Sequence, residues 1–459
     1  MKISEAQTHS IYLIKNYFKK LEDSSIDTSK SGQCYFALWS ETQGMARMKL
    51  WLKGYAHFFS FCLINLKNIF SIASHANYIE ISNDQKASND EKKILVISYS
   101  SKELFKSDGS FYDKFLNINS KDLINSRWIL ISLDNFIPNN LNENIKIFGV
   151  KKSFFKYDIF SFIKIIINRV FKYNFSIKKI FHYLNFDTFF SEKISTLIYK
   201  ELRKNKFETL ITPYEAKPYQ LYVNNLVKDY DNEILTIGYV HSSLPSLPCE
   251  YVFRNGSPDL ICVHGSTYKK ILKDKLSWPM NKINLIKSLR FKKNYKSMSG
   301  KIFLPYKILG KKILLNSFKE FLENAKLKSL EKFSIENHPS MLKSKIHLEF
   351  IFNLKNLIDI NKNKFSDNAS NNQSIFFGFT GAIFEALERG NEVIHFFSDP
   401  FFESLNNNIW EEIDIKVLNN NAQKYNLNKK GCLIDFSDES FSLNDVIKKS
   451  NKIFKTSII

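Results

Sequence analysis

Apolar runs of strand length recur along the chain, separated by stretches whose apolar positions return every three or four residues. The clearest runs are ILVISYS (94–100), RWILISLD (127–134) and NIKIFGV (144–150). A strand with one wet face alternates apolar and polar side chains. Runs that stay apolar at successive positions suit strands covered on both faces, so these predict a parallel sheet between helical layers. ETLITPYEAKPYQLYVNNLVKDY (208–230) reads strand, loop, helix, with the strand over 209–212. Pro218 falls in the first helical turn, where a missing N–H costs nothing. EILTIGYVHSSLP (233–245) gives another strand with a polar loop after it. PDLICVHGSTYKKILKD (258–274) repeats the scheme, and KINLIKSLRF (282–291) closes this half.

The polar stretch KKNYKSMSG (292–300) predicts a boundary, after which the pattern restarts. KIFLPY is a strand, ILLNSFKEFLENAKL an amphipathic helix, and KFSIENHPSM a strand with its turn. LEFIFNLKNLID is helical or mixed, QSIFFGFTGAIFEALERG is strand, turn and helix, and NEVIHFFS is a further strand. The expectation is an α/β protein with two Rossmann-like domains facing each other across a cleft. The N-terminal domain spans 1–300, with its first 90 residues mainly helical apart from a strand at CYFALWS (34–40). The C-terminal domain spans 301–440, and a helix over 441–459 packs back on the first domain. Doubly wound sheets bind ligands at the carboxyl ends of their strands, so the cleft is the expected site.

A chain of 459 residues exceeds one ordinary core, and 44% hydrophobic with 24% charged residues describes a globular protein. Basic residues outnumber acidic ones 66 to 46, a formal net charge of +20. That charge suits a polyanionic partner such as an acidic membrane, a nucleic acid or a phosphorylated substrate. The composition also carries an AT-rich codon bias toward Lys, Asn, Ile and Phe, which accounts for part of the excess. Aromatic side chains fall mostly in apolar runs, which favours core packing over base stacking and argues against nucleic acid.

Five scattered cysteines (Cys34, Cys62, Cys249, Cys262, Cys432) offer no zinc or redox spacing and fit a reducing cytoplasm. The start, MKISEAQTHSIYLIKNYFKK, lacks the apolar stretch of a signal peptide. YAHFFSFCLINLKNIFSIA (55–73) is interrupted by His57, Asn65, Lys67 and Asn68, so a buried or interfacial helix is expected there. In 151–179, Ile159, Phe162, Ile163, Ile166 and Val170 repeat at helical spacing, and eight basic residues accompany one acid, Asp158. A basic amphipathic helix of this kind rests on an anionic membrane, or is an ordinary helix of a Lys-rich protein.

Chemistry-bearing residues sit at the predicted strand ends. In ENHPSM, Pro339 pushes His338 toward extended backbone at the end of a strand. In FGFTGAIFEALERG, Thr380 is the expected N-cap, and Gly381 admits a ligand to the free N–H groups of a helix start. Glu385 lies one and a half turns inside, where its carboxylate can meet ribose or sugar hydroxyls, and Gly390 ends the helix. A purely structural cap reads the same way. Walker, GxGxxG, HExxH and GxSxG signatures are missing, and VHGST (263–267) reads as an ordinary strand-to-helix turn.

The order ENHPSM, then GFTGAIFEALERGNEVIHF, resembles the C-terminal nucleotide-sugar domain of bacterial GT-B glycosyltransferases of surface polysaccharides. It is most similar to CMP-sugar-dependent sialyltransferases and capsule Kdo transferases. TPYEAKPYQ and GYVHSSLP look like segments of surface-carbohydrate biosynthesis proteins. The likeness runs over residues 205 to 400. It implies a GT-B-like fold in which His338 and Pro339 lie at the nucleotide phosphate, while Thr380, Gly381 and Glu385 hold the rest of the nucleotide. Thr-Gly stands where the family usually has a Ser/Thr pair.

The implied activity is an inverting, metal-independent transfer of an acidic sugar, Kdo or a sialic-acid-like nonulosonate, from a CMP-activated donor to a surface glycan acceptor. Such a transferase must deprotonate a hydroxyl, and Glu215 is the candidate base, with His241 its rival. Either residue can instead simply cap a neighbouring loop. Arg290, with His338 and the Thr380 turn, is expected to meet the leaving phosphate. No cofactor or metal is expected, since a CMP leaving group has one phosphate. The expected partners are a nucleotide-sugar donor, a glycan or lipid-linked glycan acceptor, and an anionic membrane through 151–179. The location implied is the cytoplasm, peripheral at the inner membrane. The alternatives are a UDP- or GDP-sugar or CDP-glycerol donor, or a non-catalytic membrane-associated assembly protein.

Overall fold

The structure, a computed structural model, describes residues 2–34, 78–82, 92–150, 186–293, 297–324, 333–338, 341–361, 372–438 and 440–458, with isolated positions between 167 and 183. The strand expected at 34–40 beyond Cys34, the apolar stretch 55–73, nearly all of 151–179, and Pro339 lie outside the described residues.

The chain opens with α1 (Ile3–Asp23) and then β1 (Tyr78–Glu80), a strand inside the region expected to be mainly helical. β2 (Ile94–Ser100) leads through a small hairpin, β3 (Tyr112–Asp113) and β4 (Ile118–Asn119), to β5 (Ser126–Ser132) and β6 (Ile145–Val150). Helices and strands then alternate through α2 (Phe186–Lys204), β7 (Thr209–Pro213), α3 (Pro218–Tyr230), β8 (Leu235–Tyr239), β9 (Leu260–Val263), α4 (Ser266–Asp274) and β10 (Ile283–Leu285). Among the described residues the first sheet has eight strands, in the order β1-β6-β5-β2-β7-β8-β9-β10. All its pairings are parallel except that of β1, an antiparallel edge.

Successive side chains of a strand point to opposite faces, and both faces here are covered. Leu95 and Ile97 of β2, with Ile129 and Ile131 of β5, share a core with Ile198 of α2 and Val223 of α3. Val96, Trp128 and Leu130 point the other way, into a core closed by Val446 and Ile447 near the C-terminus. That is why these strands read as unbroken apolar runs.

The second sheet follows β11 (Lys301–Phe303), α5 (Lys311–Asn324), β12 (Ser334–Glu336), α6 (Lys345–Asn361), β13 (Gln373–Phe377), α7 (Ala382–Glu388) and β14 (Glu392–Phe396). After a short α8 (Pro400–Glu403) comes a hairpin, β15 (Ile413–Asn419) and β16 (Ala422–Leu427), that the apolar pattern did not predict. The order is β12-β11-β13-β14-β16-β15, parallel over the first four strands and antiparallel over the last two. The fold is therefore α/β with two mainly parallel sheets. α9 (Leu443–Ile458) then lies on the first sheet, where Ser450 Oγ accepts from Asn284 Nδ2 at 3.1 Å and Lys449 Nζ donates to the Leu285 carbonyl at 2.6 Å.

The boundary segment is less free than its polarity suggests. Met298 is buried and its carbonyl accepts Ser374 Oγ at 2.8 Å. The two sheets also share a core: Tyr268 of α4, Phe384 of α7 and Trp410 pack together, with Phe384 and Trp410 ring centroids 4.5 Å apart. α1 joins this seam, since Gln7 Nε2 donates to the carbonyls of Phe401 and Ser404 at 2.8 and 3.0 Å. On the return to the first sheet, the Glu388 carboxylate accepts the N–H groups of Leu433 and Ile434 at 2.9 and 3.1 Å. A Cβ at Gly265 would stand 2.1 Å from the Leu433 carbonyl oxygen, so only glycine permits this crossing. Beside the apolar seam the carboxyl ends of the two sheets meet, Ser243 after β8 donating its Oγ to the Gly381 carbonyl after β13 at 3.2 Å. Among the described residues no helix is long and apolar enough to cross a membrane.

Candidate functional site

On the first-sheet side, the loop after β7 carries Glu215. Gln220, buried in the first turn of α3, clamps that loop. Its Oε1 accepts the N–H groups of Glu215 and Lys217, each at 3.0 Å, and its Nε2 donates to the Pro213 carbonyl at 2.7 Å. Between them Ala216 sits at φ 51°, the left-handed region that non-glycine residues rarely occupy unless their surroundings hold them there. We expect Gln220→Leu to cost about 2 kcal/mol, because two loop N–H groups lose their acceptor. Hydrogen exchange of the Glu215 and Lys217 amides should rise with it, and unchanged exchange would remove the clamp from this account.

β7 and β8 are neighbours in the sheet, so Glu215 meets His241, two residues past the end of β8. Glu215 Oε1 stands 3.7 Å from His241 Nε2, close enough for electrostatic coupling but too long for a hydrogen bond. The sequence offered the two residues as rivals; the sheet order makes them a pair. Lys217 Nζ lies 2.5 Å from Glu215 Oε2 and 4.4 Å from the centre of the Tyr99 ring. His241 packs edge-on against Phe115 at 4.5 Å, and its buried Nδ1 has no hydrogen-bond partner among the described residues. Phe115 is positioned by Asp113, whose Oδ1 accepts the N–H groups of Phe115 and Leu116 at 2.7 and 3.0 Å.

Burial pushes the His241 imidazole down to about 4, against the upward pull of Glu215, and Arg290 and Lys217 add to the lowering. Burial acts to raise Glu215, but Lys217 and His241 outweigh it and the carboxyl ends below its ordinary value. At neutral pH the imidazole is uncharged, so Lys217 is the partner that holds the carboxylate ionised. His264, in the VHGST stretch read as an ordinary turn, follows β9 beside β8 and adds to the lowering of His241. Its Nε2 is 3.2 Å from the Ser242 carbonyl, and burial lowers it to about 4 as well.

On the second-sheet side, His338 follows β12, half-buried and edge-on to Tyr306 at 5.2 Å, with its carbonyl closing a turn onto Met341 N–H at 2.8 Å. Its pKa is lowered by burial and then by the charges of His347, Lys114 and Arg290. Lys114 and Arg290 belong to the first domain, so His338 faces them across the seam. Both are exposed, each rests over the ring of the following phenylalanine at 5.3 Å, and neither has an ion pair or hydrogen bond among the described residues. Arg290 also acts on His241 and thus links the two walls of the site.

The Thr380 turn differs in detail from expectation. Gly381, not Thr380, occupies the N-cap position of α7, and Thr380 Oγ1 accepts the Ala382 N–H at 3.4 Å. The first turn is tight, with Thr380 and Gly381 carbonyls bonded three residues on, which moves the helix start by one residue. Glu385 is engaged within its own helix through one of its two carboxylate oxygens. Its Oε1 accepts Arg389 Nε and Nη2 at 3.1 and 2.9 Å, and Arg389 stacks on Phe436 and donates to the Lys292 carbonyl. The i,i+4 spacing that put both residues on one helix face produced this pair. Among the described residues no three His, Cys, Asp or Glu side chains converge as metal ligands.

No family model matches the chain, and neither does any curated protein. Among solved structures, a UGT transferase from Siraitia grosvenorii in complex with UDP aligns at 8% identity with a TM-score of 0.24. The alignment covers 50% of this chain and 63% of that one, less than two thirds of its length.

Five of the expected site residues, Glu215, His241, Arg290, His338 and Thr380, thus fall on the facing strand ends or the loops beside them, with Gly381 at the contact itself. Lys114, Phe115, Lys217, Gln220 and His264 were not singled out. Only Gln220 had a readable signal, as the third residue of a helix opened by Pro218.

Proposed function

We propose that this chain is an inverting glycosyltransferase that moves an acidic sugar, Kdo or a sialic-acid-like nonulosonate, from a CMP-activated donor to a surface glycan acceptor. The supporting observation is the juxtaposition of a neutral imidazole and an ionised carboxylate with the uncommitted cations Arg290 and Lys114. In the reaction His241 takes the proton of the acceptor hydroxyl, and Glu215 stabilises the imidazolium that forms. The acceptor oxygen bonds to the anomeric carbon as its bond to the phosphate oxygen breaks. CMP departs with the negative charge, met by Arg290, Lys114 and His338. One displacement inverts the centre. A membrane-facing role through 151–179 would bring the enzyme to a lipid-linked acceptor.

A thermal-shift panel of CMP, UDP, GDP and CDP tests the donor. CMP in hundredfold excess over its Kd should add about 2.7 kcal/mol of stability. A response to UDP or GDP alone overturns the donor, a response to CDP alone points to an alternative such as CDP-glycerol, and no response overturns the nucleotide reading. The sign of one titration checks the geometry. Empty, His338 has a lowered pKa; a bound phosphate favours the protonated ring, so CMP should raise it. An unmoved His338 NMR titration places the phosphate elsewhere.

A further inference from the structure

Away from this cluster, a cavity of about 500 Å3 lies between the start of α1, the segment 400–408 and the β15–β16 hairpin. It shares no residue with the Glu215–His241–His338 cluster. Its lining is unlike the rest of the molecule: in a chain with 24% charged residues, one of its sixteen lining residues, Lys2, is charged, and seven are carboxamides. These are five asparagines between 406 and 420 with Gln7 and Gln423.

The carboxamides divide into two groups. Gln7, Asn406 and Asn419 are spent on the frame. Gln7 Oε1 accepts Asn406 Nδ2 at 2.6 Å, and Asn419 exchanges hydrogen bonds with Ser317 at 2.9 and 3.1 Å. Asn407, Asn408 and Asn420 make no hydrogen bond among the described residues, and Gln423 uses its Oε1 for Tyr425 while its Nε2 is left over. Most of the remaining wall is apolar, with Phe397, Ile415 and Val417 among it.

We infer that this cavity is a binding site for a neutral saccharide. A carboxamide donates and accepts in one plane, matching a hydroxyl that does both, whereas a charged group would favour an ionic ligand. The apolar wall suits the C–H face of a pyranose, and the size fits one to a few sugar units. The bonded amides shape the cavity wall, and the open ones keep their donors and acceptors for a ligand. The inference does not depend on the proposed transfer reaction, since no residue is common to the two sites.

Saturation-transfer NMR on the full chain tests it with maltotriose and lactose, and with sialyllactose as the acidic control. We expect transfer from a neutral saccharide with a Kd of about 1 mM. It should fall at least tenfold in the double variant Asn408→Ala/Asn420→Ala and persist in His338→Ala. Both asparagines are exposed and unbonded, so the double variant should keep its fold, checked by an unchanged melting curve. Absence of transfer from both neutral sugars, equal transfer in the double variant, or loss of it in His338→Ala overturns the site. Preference for sialyllactose overturns its neutral character.

Discussion

His241→Gln is expected to lower the proposed sugar transfer by about 10²–10⁴-fold, the range that a positioned general base supplies. Glutamine keeps the size and polarity of the side chain but cannot take up the proton. The pH profile separates this role from a structural one. An ordinary histidine base gives an acid limb near pH 6.5. Burial lowers His241 to about 4, so the neutral, active form persists and kcat/KM should stay flat through the region of pH 6.5. Glu215 opposes that lowering, and Glu215→Gln therefore shifts the limb further to acid while reducing kcat. An acid limb near 6.5, or full activity in His241→Gln, removes the imidazole as base. Retained activity in both variants would leave neither residue of the pair in the mechanism.

Trp410→Ala costs about 3–5 kcal/mol of stability, the range for deleting a fully buried tryptophan. The ring fills the seam between Tyr268 and Phe384, and its Nε1 donates to the Ser246 carbonyl at 2.9 Å. Truncation leaves a cavity where the two sheets share their core and an unsatisfied carbonyl beside it. Trp410→Phe retains most of the apolar contact and should lose far less. Urea unfolding measures both, and a change below about 1 kcal/mol for Trp410→Ala would mean that the seam collapses to heal the cavity. Because the same seam sets the distance between facing strand ends, Trp410→Ala should also reduce the proposed transfer, although Trp410 touches none of the residues proposed to carry it.

The strands were the most legible part of the sequence because burial on both faces leaves a local mark, an unbroken apolar run. β2, β5 and β6 were readable for that reason. The β15–β16 hairpin was not: in Ile413–Asn419, Lys416 and Val417 are both exposed, so no run or clean alternation announces it. β1 escaped for a related cause, being a three-residue strand that among the described residues pairs on one side only. Glu385 was placed on the correct helix, but the partner it has there went unread. Its partner Arg389 was in view at i,i+4, but the pair's ties reach the Lys292 carbonyl in the boundary segment and Phe436 in the segment that returns from the far end of the chain.

The sequence by itself determined that two groups of covered strands exist and that polar residues follow several of them, Glu215, His241, His338 and Thr380 included. Those facts are local, written in spacing and in the backbone limits of proline and glycine. Only the tertiary structure decided which strand ends are neighbours, that Glu215 and His241 act on each other, and that the imidazole is neutral while Arg290 and Lys114 remain uncommitted. Distances between strands follow from sheet order and domain packing, and a charge state follows from burial. None of these quantities has a period along the chain.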